Sequence, residues 1–271
     1  MFKVNIHMNL NVLVSCMHEK DTSIIARSNI QSDVIVVNQC DKDSVEEFDF
    51  INKHGKTCHA KFINTTERGL SRSRNRAILN AWGDICLIAD DDEVFSNDYP
   101  DVVYKAYNDI NADVIAFGFH YSNRERNNFT KRTKIGWFNF LKISSVQISF
   151  KRKIINAYNI RFAENMGSGT GNGGGEENKL ISDCLRNKLS IIAEPSDIAV
   201  IDYDTKNSKW FNGFDKNYFV KNGWSIKQSI GTLGGLAFSF IHCTRRASMI
   251  KTDICPVKAF FYMVKGVFSS F

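Results

Sequence analysis

The run Asp84-Ile85-Cys86-Leu87-Ile88-Ala89-Asp90-Asp91-Asp92-Glu93 constrains this chain more than any other. Ile85 to Ala89 has the length and flanks of a strand buried on both faces, and it stops abruptly at four consecutive acidic side chains. In an extended backbone alternate side chains share a face, which would bring Asp90 and Asp92 together where the strand leaves its sheet. Two carboxylates that close repel one another unless a cation joins them, and hard oxygen ligands suit Mg²⁺ or Mn²⁺. The same cluster also reads as a solvated acidic turn, so on spacing alone both readings stand.

The neighbouring segments supply a sheet for that strand. Leu10 to Ser15, Asp33 to Asn38, Thr57 to Ile63, Asp113 to Phe119, Val146 to Phe150 and Ser190 to Ala193 read as further strands. Helical patterns fall between them: Ser71 to Trp82, with Ser71 as cap and Gly83 as stop, then Asp101 to Ile110, Lys151 to Ala157 and a helix from Glu176. Strands alternating with helices at this spacing indicate an α/β fold with a mostly parallel sheet, whose ligands gather at the carboxyl ends of the strands. Ser15, Asn38 and Asp90 to Asp92 would meet there. With 271 residues the chain has room for one large α/β domain or a domain with an appendage. Beyond Asp204 the pattern changes to aromatic residues interleaved with Gly and Lys, among them Trp210, Phe211, Tyr218 and Trp224.

A net charge of +6 suits phosphate-bearing ligands or an anionic membrane surface without separating them. The seven cysteines are scattered and never in a C-x-x-C pair, which argues against a zinc ribbon or disulfide framework and for a reducing compartment. Met1 to Asn11 lacks the apolar core of a secretory signal, and Ile230 to Cys243, the most apolar stretch, is too short and too polar to span a membrane.

Arg68, Arg72, Arg74 and Arg76 cluster near a helix start, where free amides and arginine forks can bind a phosphate; Arg74 is the candidate, and a solvated basic face is the alternative. Gly169-Thr-Gly171-Asn-Gly173-Gly174 matches G-x-G-x-x-G in form but follows no credible buried strand, so the stretch reads as a mobile loop shaping a substrate pocket. Glu176 and Glu177 close that loop. One of them could take a proton from an attacking hydroxyl, because crowded carboxylates have raised pKa values, although Glu is also simply favoured in a first helical turn. His18, His54, His59, His120 and His242 show no metal-ligand spacing with one another.

In order and spacing, four pieces resemble the GT-A glycosyltransferases of family 2: Val12-Leu13-Val14-Ser15, Gly69 to Asp84 with Arg74-Asn75 at its centre, Asp90-Asp91-Asp92-Glu93, and Gly175-Glu176-Glu177. The resemblance covers roughly residues 8 to 205. It implies a GT-A domain over 1–205 and a C-terminal helical, aromatic extension over 206–271. It further implies that Asp90 and Asp92 bind a divalent cation, Mn²⁺ or Mg²⁺, on the donor diphosphate. Asp91 would lie by the ribose or sugar, Ser15 and Asn38 would line the nucleotide pocket, and Arg74 would help hold the nucleotide. Glu177 would be the general base of an inverting transfer, with Glu176 its rival. The implied donor is a nucleotide-sugar, UDP-linked by family habit, since Asn38-Gln39-Cys40-Asp41 leaves the base-reading role open. The implied acceptor is a glycan or a lipid-linked hydroxyl in polysaccharide synthesis, and no nucleic-acid partner is expected. Val257, Phe260, Phe261, Val264 and Phe268, with Lys258 and Lys265, give 254–271 either a peripheral membrane contact or a helix packed on the enzyme's own core. The expected location is the cytoplasm, at the inner face of the cell membrane if that contact forms. The competing functions are a nucleotidyltransferase and a non-enzymatic polyanion-binding module using Arg68 to Arg76 and Arg124 to Lys134.

Overall fold

A computed structural model describes residues 8–123, 129–201 and 213–270. In chain order its elements are β1 (Leu10–Met17), α1 (Ile24–Arg27), β2 (Asp33–Gln39), β3 (Ser44–Ile51), β4 (Thr57–Thr65), α2 (Leu70–Asn80), β5 (Ile85–Asp90), β6 (Glu93–Phe95), α3 (Tyr99–Asp109), β7 (Val114–Tyr121), β8 (Thr133–Lys134), β9 (Ile148–Lys151), α4 (Arg152–Ala157), α5 (Glu176–Arg186), β10 (Ile191–Ile201), α6 (Lys216–Arg245), α7 (Ala247–Ile250) and α8 (Pro256–Phe268). The sheet runs β3-β4-β2-β1-β5-β9-β7-β10-β6, with β8 on β10. β4, β2, β1 and β5 are parallel, as are β7 and β10, while β9 lies between the two groups and runs against both neighbours.

Period-two alternation explains why the central strands carry apolar residues at successive positions. On β1, Val12 and Val14 enter one core layer and Leu13 the other; Val34 and Val36 oppose Ile35 and Val37 on β2, and Leu87 and Ala89 oppose Cys86 and Ile88 on β5. One layer is closed by α1 and α3, and the other by α2, α4 and α5. The sheet is therefore covered on both faces, and its functional groups emerge at strand ends.

One strand is added to those expected, and two local expectations change. β3, an exposed edge strand with Glu46, Glu47 and Asp49, pairs antiparallel with β4; its run of acids hides an alternation that only Phe48 and Phe50 betray. Ser71 does not cap α2. Gly69, at φ 123°, holds that position, and Ser71 donates from inside the first turn to the carbonyl of Met166 at 2.9 Å. β10 continues well past Ala193 to Ile201, pairing with β7 through two register shifts.

The C-terminal helices form their own small core of Phe214, Phe219, Cys243, Ile250, Ala259 and Met263. α6 breaks at Gly231 (φ 75°, ψ 176°), and α8 packs against both halves. A Cβ on Gly223 would stand 2.0 Å from the carbonyl oxygen of Met263, and one on Gly266 would stand 2.0 Å from that of Val220, so glycine alone permits this approach. Ala259, Met263, Gly266 and Val267 face inward, whereas Val257, Phe261 and Phe268 are 62%, 63% and 66% exposed. The apolar stripe read from the sequence is thus divided between packing and solvent. Among the described residues no helix is long and apolar enough to cross a membrane. Trp210, Phe211 and the boundary expected at 205–206 lie outside the described residues.

Candidate active site

The carboxyl ends of β1 and β5 lie side by side, with Ser15 opposite Asp90 in the register. α2 runs back across them and delivers Arg74, which is buried to 1% exposure. Its guanidinium spans two acids: Nη2 lies 2.7 Å from Asp90 Oδ1 and Nη1 3.0 Å from Glu176 Oε1. The tip of the acid-ended strand and the first residue of α5 are thereby tied together through one side chain, although 86 residues separate them in the chain. A buried charge needs such pairing, and each acid pins the position of the other.

The acidic cluster does not continue as a strand. β5 ends at Asp90, Asp91 and Asp92 form a turn, and β6 begins at Glu93, so simple alternation does not place Asp92. Glu93 turns inward beside Phe95, is 1% exposed, and accepts the Asp90 amide at 3.0 Å. Burial, and then the neighbouring Asp90, pushes the Glu93 carboxyl well up. Its inward role is legible only from the period of β6. Asp91 and Asp92 are exposed on that turn, and partial withdrawal from water first, with repulsion from Asp90 second, raises Asp91 and pushes Asp92 up to about 6. Among the described residues no three His, Cys, Asp or Glu side chains converge as an all-protein metal cage requires. Mg²⁺ is commonly held by fewer, one or two carboxylates with substrate phosphates supplying the rest, and mutually repelling carboxylates at a strand end fit that donor set.

Ser15 and Asn38 stand behind the cleft surface. The Ser15 hydroxyl accepts from Ser73 Oγ at 2.9 Å. Asn38 is 0% exposed and its amide is fully engaged: Oδ1 accepts from the Glu19 amide at 3.0 Å, and Nδ2 donates to Glu19 O at 2.9 Å and Asn64 Oδ1 at 2.8 Å. These bonds brace the loops after β1, β2 and β4. The other arginines of the basic cluster are each partnered, Arg68 with Asp41 at 2.6 Å, Arg72 with Glu164 at 3.5 Å and Arg76 with Glu67 at 3.1 Å. Of the second cluster, Arg124 and its neighbours to 128 lie outside the described residues, and Arg132 pairs with Glu194 at 2.9 Å.

The glycine-rich stretch is anchored on two sides rather than free. On one side Leu70 N donates to Ser168 O at 3.2 Å; on the other Ser225 of α6 donates to Gly174 O. Gly175 holds the N-cap of α5 at φ 92°, where a Cβ would meet Ser225 Oγ at 2.6 Å. As consecutive positions on a helix, the two glutamates point in different directions. Glu176 is buried on Arg74, whereas Glu177 is half-buried and lines a cavity of about 700 Å³ between the glycine loop and the start of α6, with Tyr218, Lys221 and Asn222. Burial, and then Glu176, pushes Glu177 up to about 7. His242 sits on α6 and lines a second cavity.

A parallel β-α half sheet, an acidic turn at its central strand and a glutamate pair tied to that turn through Arg74 fit a GT-A glycosyltransferase architecture. Residues 21–169 match the model of glycosyl transferase family 2, and the chain belongs to that family. Among solved structures it is similar to S. aureus TarS 1-349 in complex with UDP-GlcNAc (TM-score 0.66, 14% identity, covering 96% of this chain and 82% of that chain). TarS 1-349 in complex with UDP gives 0.60 at 12% identity, covering 95% and 81%. The chain spans 65% of another TarS 1-349 structure and 39% of a longer TarS structure. No curated protein sequence matches it.

Proposed function

We propose that this chain transfers a sugar from a UDP-linked donor to a hydroxyl acceptor, with inversion at the anomeric carbon. The observation that carries the reading is the Arg74 bridge: it ties Asp90, at the start of the acidic turn, to Glu176 at the start of α5, whose neighbour Glu177 lines a cavity. The donor class is supported by the UDP-GlcNAc and UDP bound in the TarS structures.

In this reading Asp90 and Asp92 would hold a divalent cation, Mn²⁺ or Mg²⁺, which when bound would neutralise charge on the departing diphosphate. Asp91 lies beside them for the ribose or sugar. Ser15 and Asn38 act on the nucleotide indirectly by fixing the loops that enclose it, and Arg74 acts by holding Asp90 and Glu176 in place. Glu177 accepts the acceptor hydroxyl's proton as the new glycosidic bond forms and the bond from the anomeric carbon to the diphosphate oxygen breaks, and UDP leaves. A carboxylate whose pKa is raised towards the working pH is a stronger base for that step. Glu176 is committed to Arg74 and serves as the support. Segment 206–271 is the acceptor-facing extension, and the exposed face of α8 contacts the inner face of the cell membrane.

Calorimetry with UDP-GlcNAc tests the donor site directly. Binding should require Mn²⁺ and should weaken at least tenfold in Asp92→Ala; affinity indifferent to both metal and substitution would reject the reading.

A further inference from the structure

The second cavity, about 630 Å³, lies between the start of α5 and both halves of α6. Asn178, Tyr218, Asn222 and Ser225 line both it and the cavity that contains Glu177, so the two form one cleft leading away from the glutamate. Three of its lining residues carry a buried side-chain atom with no hydrogen-bond partner: Asn178 Oδ1, Ser229 Oγ and His242 Nε2. Ser229 is only 1% exposed. Buried polar atoms are ordinarily satisfied, and three orphans clustered on the residues around one space point to a polar occupant.

The cavity also has a definite charge. Arg245 and Arg246 line it, no acidic residue does, and neither arginine has an ion-pair partner among the described residues. Burial, and then Arg246, pushes His242 down to about 4, so at neutral pH the imidazole is uncharged and offers a hydrogen bond while the two guanidinium groups carry the charge. Basic side chains in a last helical turn also complement the helix dipole, but that role does not account for the three orphaned atoms beside them. Leu141, Phe238 and Ile241 complete the wall, and Ile241 leads out to exposed Phe240.

We propose that this cavity receives a phosphate monoester or diester group of the acceptor, held by Arg245 and Arg246, while the acceptor's hydroxyl reaches Glu177 along the shared cleft. The inference rests on the transferase reading for the role of Glu177, but the anion site itself does not. Planar guanidinium forks are the side chains best matched to phosphate oxygens, and the apolar wall favours an ester whose organic part is itself partly apolar.

The test is calorimetric titration of octyl phosphate, below its micellar concentration and with EDTA present, into the whole chain, with octyl glucoside as the uncharged control. Octyl phosphate should bind and octyl glucoside should not. Arg245→Gln/Arg246→Gln should weaken octyl phosphate at least tenfold, with thermal unfolding unchanged. Lys105→Gln/Lys153→Gln, which removes the same charge from elsewhere on the surface, should leave the affinity as it was. UDP should not displace the probe. Equal losses in both double variants, no loss in either, or displacement by UDP would overturn the site. Glycerol 1-phosphate binding as tightly as octyl phosphate would identify a water-soluble ester as the occupant, and a preference for octyl phosphate would identify a lipid-borne one; both results support the shared chemistry. UDP-GlcNAc with Mn²⁺ is titrated in parallel: loss of donor binding alone rejects the transferase reading and leaves the anion site, while loss of octyl phosphate binding alone does the reverse.

Discussion

Arg74 illustrates why a buried ion bridge is better judged by breaking it than by counting it. Replacing a buried ion pair with apolar residues can be neutral, whereas removing one partner strands the other charge. Arg74→Gln should therefore cost about 3 kcal/mol in denaturant unfolding, because it leaves Glu176 buried and unpaired. Adding Glu176→Gln should restore part of that loss, and a double variant as unstable as the single one would contradict the bridge. Asp92 gives a prediction of opposite electrostatic sense. Its carboxyl sits at about 6 in the folded chain against an ordinary 3.8, so the folded state holds a proton that the unfolded chain releases. The stability this confers is complete below about 3.8 and is lost as pH rises through about 6. In metal-free buffer Asp92→Asn should gain on the parent across that window; a constant difference in melting temperature from pH 4 to 7 would argue against the repelling cluster. With Glu177 as the proposed base, its deprotonated form is the active one, so turnover should rise with pH through about 7 and then level off.

The central strands are legible because β1, β2 and β5 are buried on both faces and each carries a short apolar run. α5 was legible from Gly175 followed by two acids and an inward Leu180, Ile181 and Cys184. β3 was not, because an edge strand facing water needs no apolar alternation to form. Nor were the glycine loop's anchors, since they come from Leu70 and Ser225, more than forty residues away in either direction. The division between Glu176 and Glu177 is also tertiary: only Arg74 arriving from α2 shows which carboxylate is spoken for. At the level of paired helices, the α6–α8 contact depends on glycines with no room for a side chain. Gly223→Ala should destabilise the chain by about 1–3 kcal/mol, measured by chemical denaturation, because its methyl group would meet the backbone at Met263. An unchanged midpoint would mean the two helices are less closely joined.

Across the whole molecule, chemistry and surface are arranged in sequence: the acidic turn, the Arg74 bridge, Glu177 with its cavity, the arginine-lined cavity, and then the apolar faces of α6 and α8. Leu233, Phe240, Phe261 and Phe268 are exposed there, and Lys258 and Lys265 stand on α8. A helix pair with that surface suits the boundary of an anionic bilayer. Sedimentation with phosphatidylglycerol vesicles should therefore carry the chain down, and Phe261→Asp/Phe268→Asp should release it; equal sedimentation of parent and variant would remove the membrane from the account. The most direct test of the central claim compares Glu177→Gln with Glu176→Gln in turnover and in donor affinity. Glu177→Gln should lose about 10²–10⁴-fold in kcat while keeping its affinity for UDP-GlcNAc with Mn²⁺. Glu177→Gln at parental turnover would contradict the assignment.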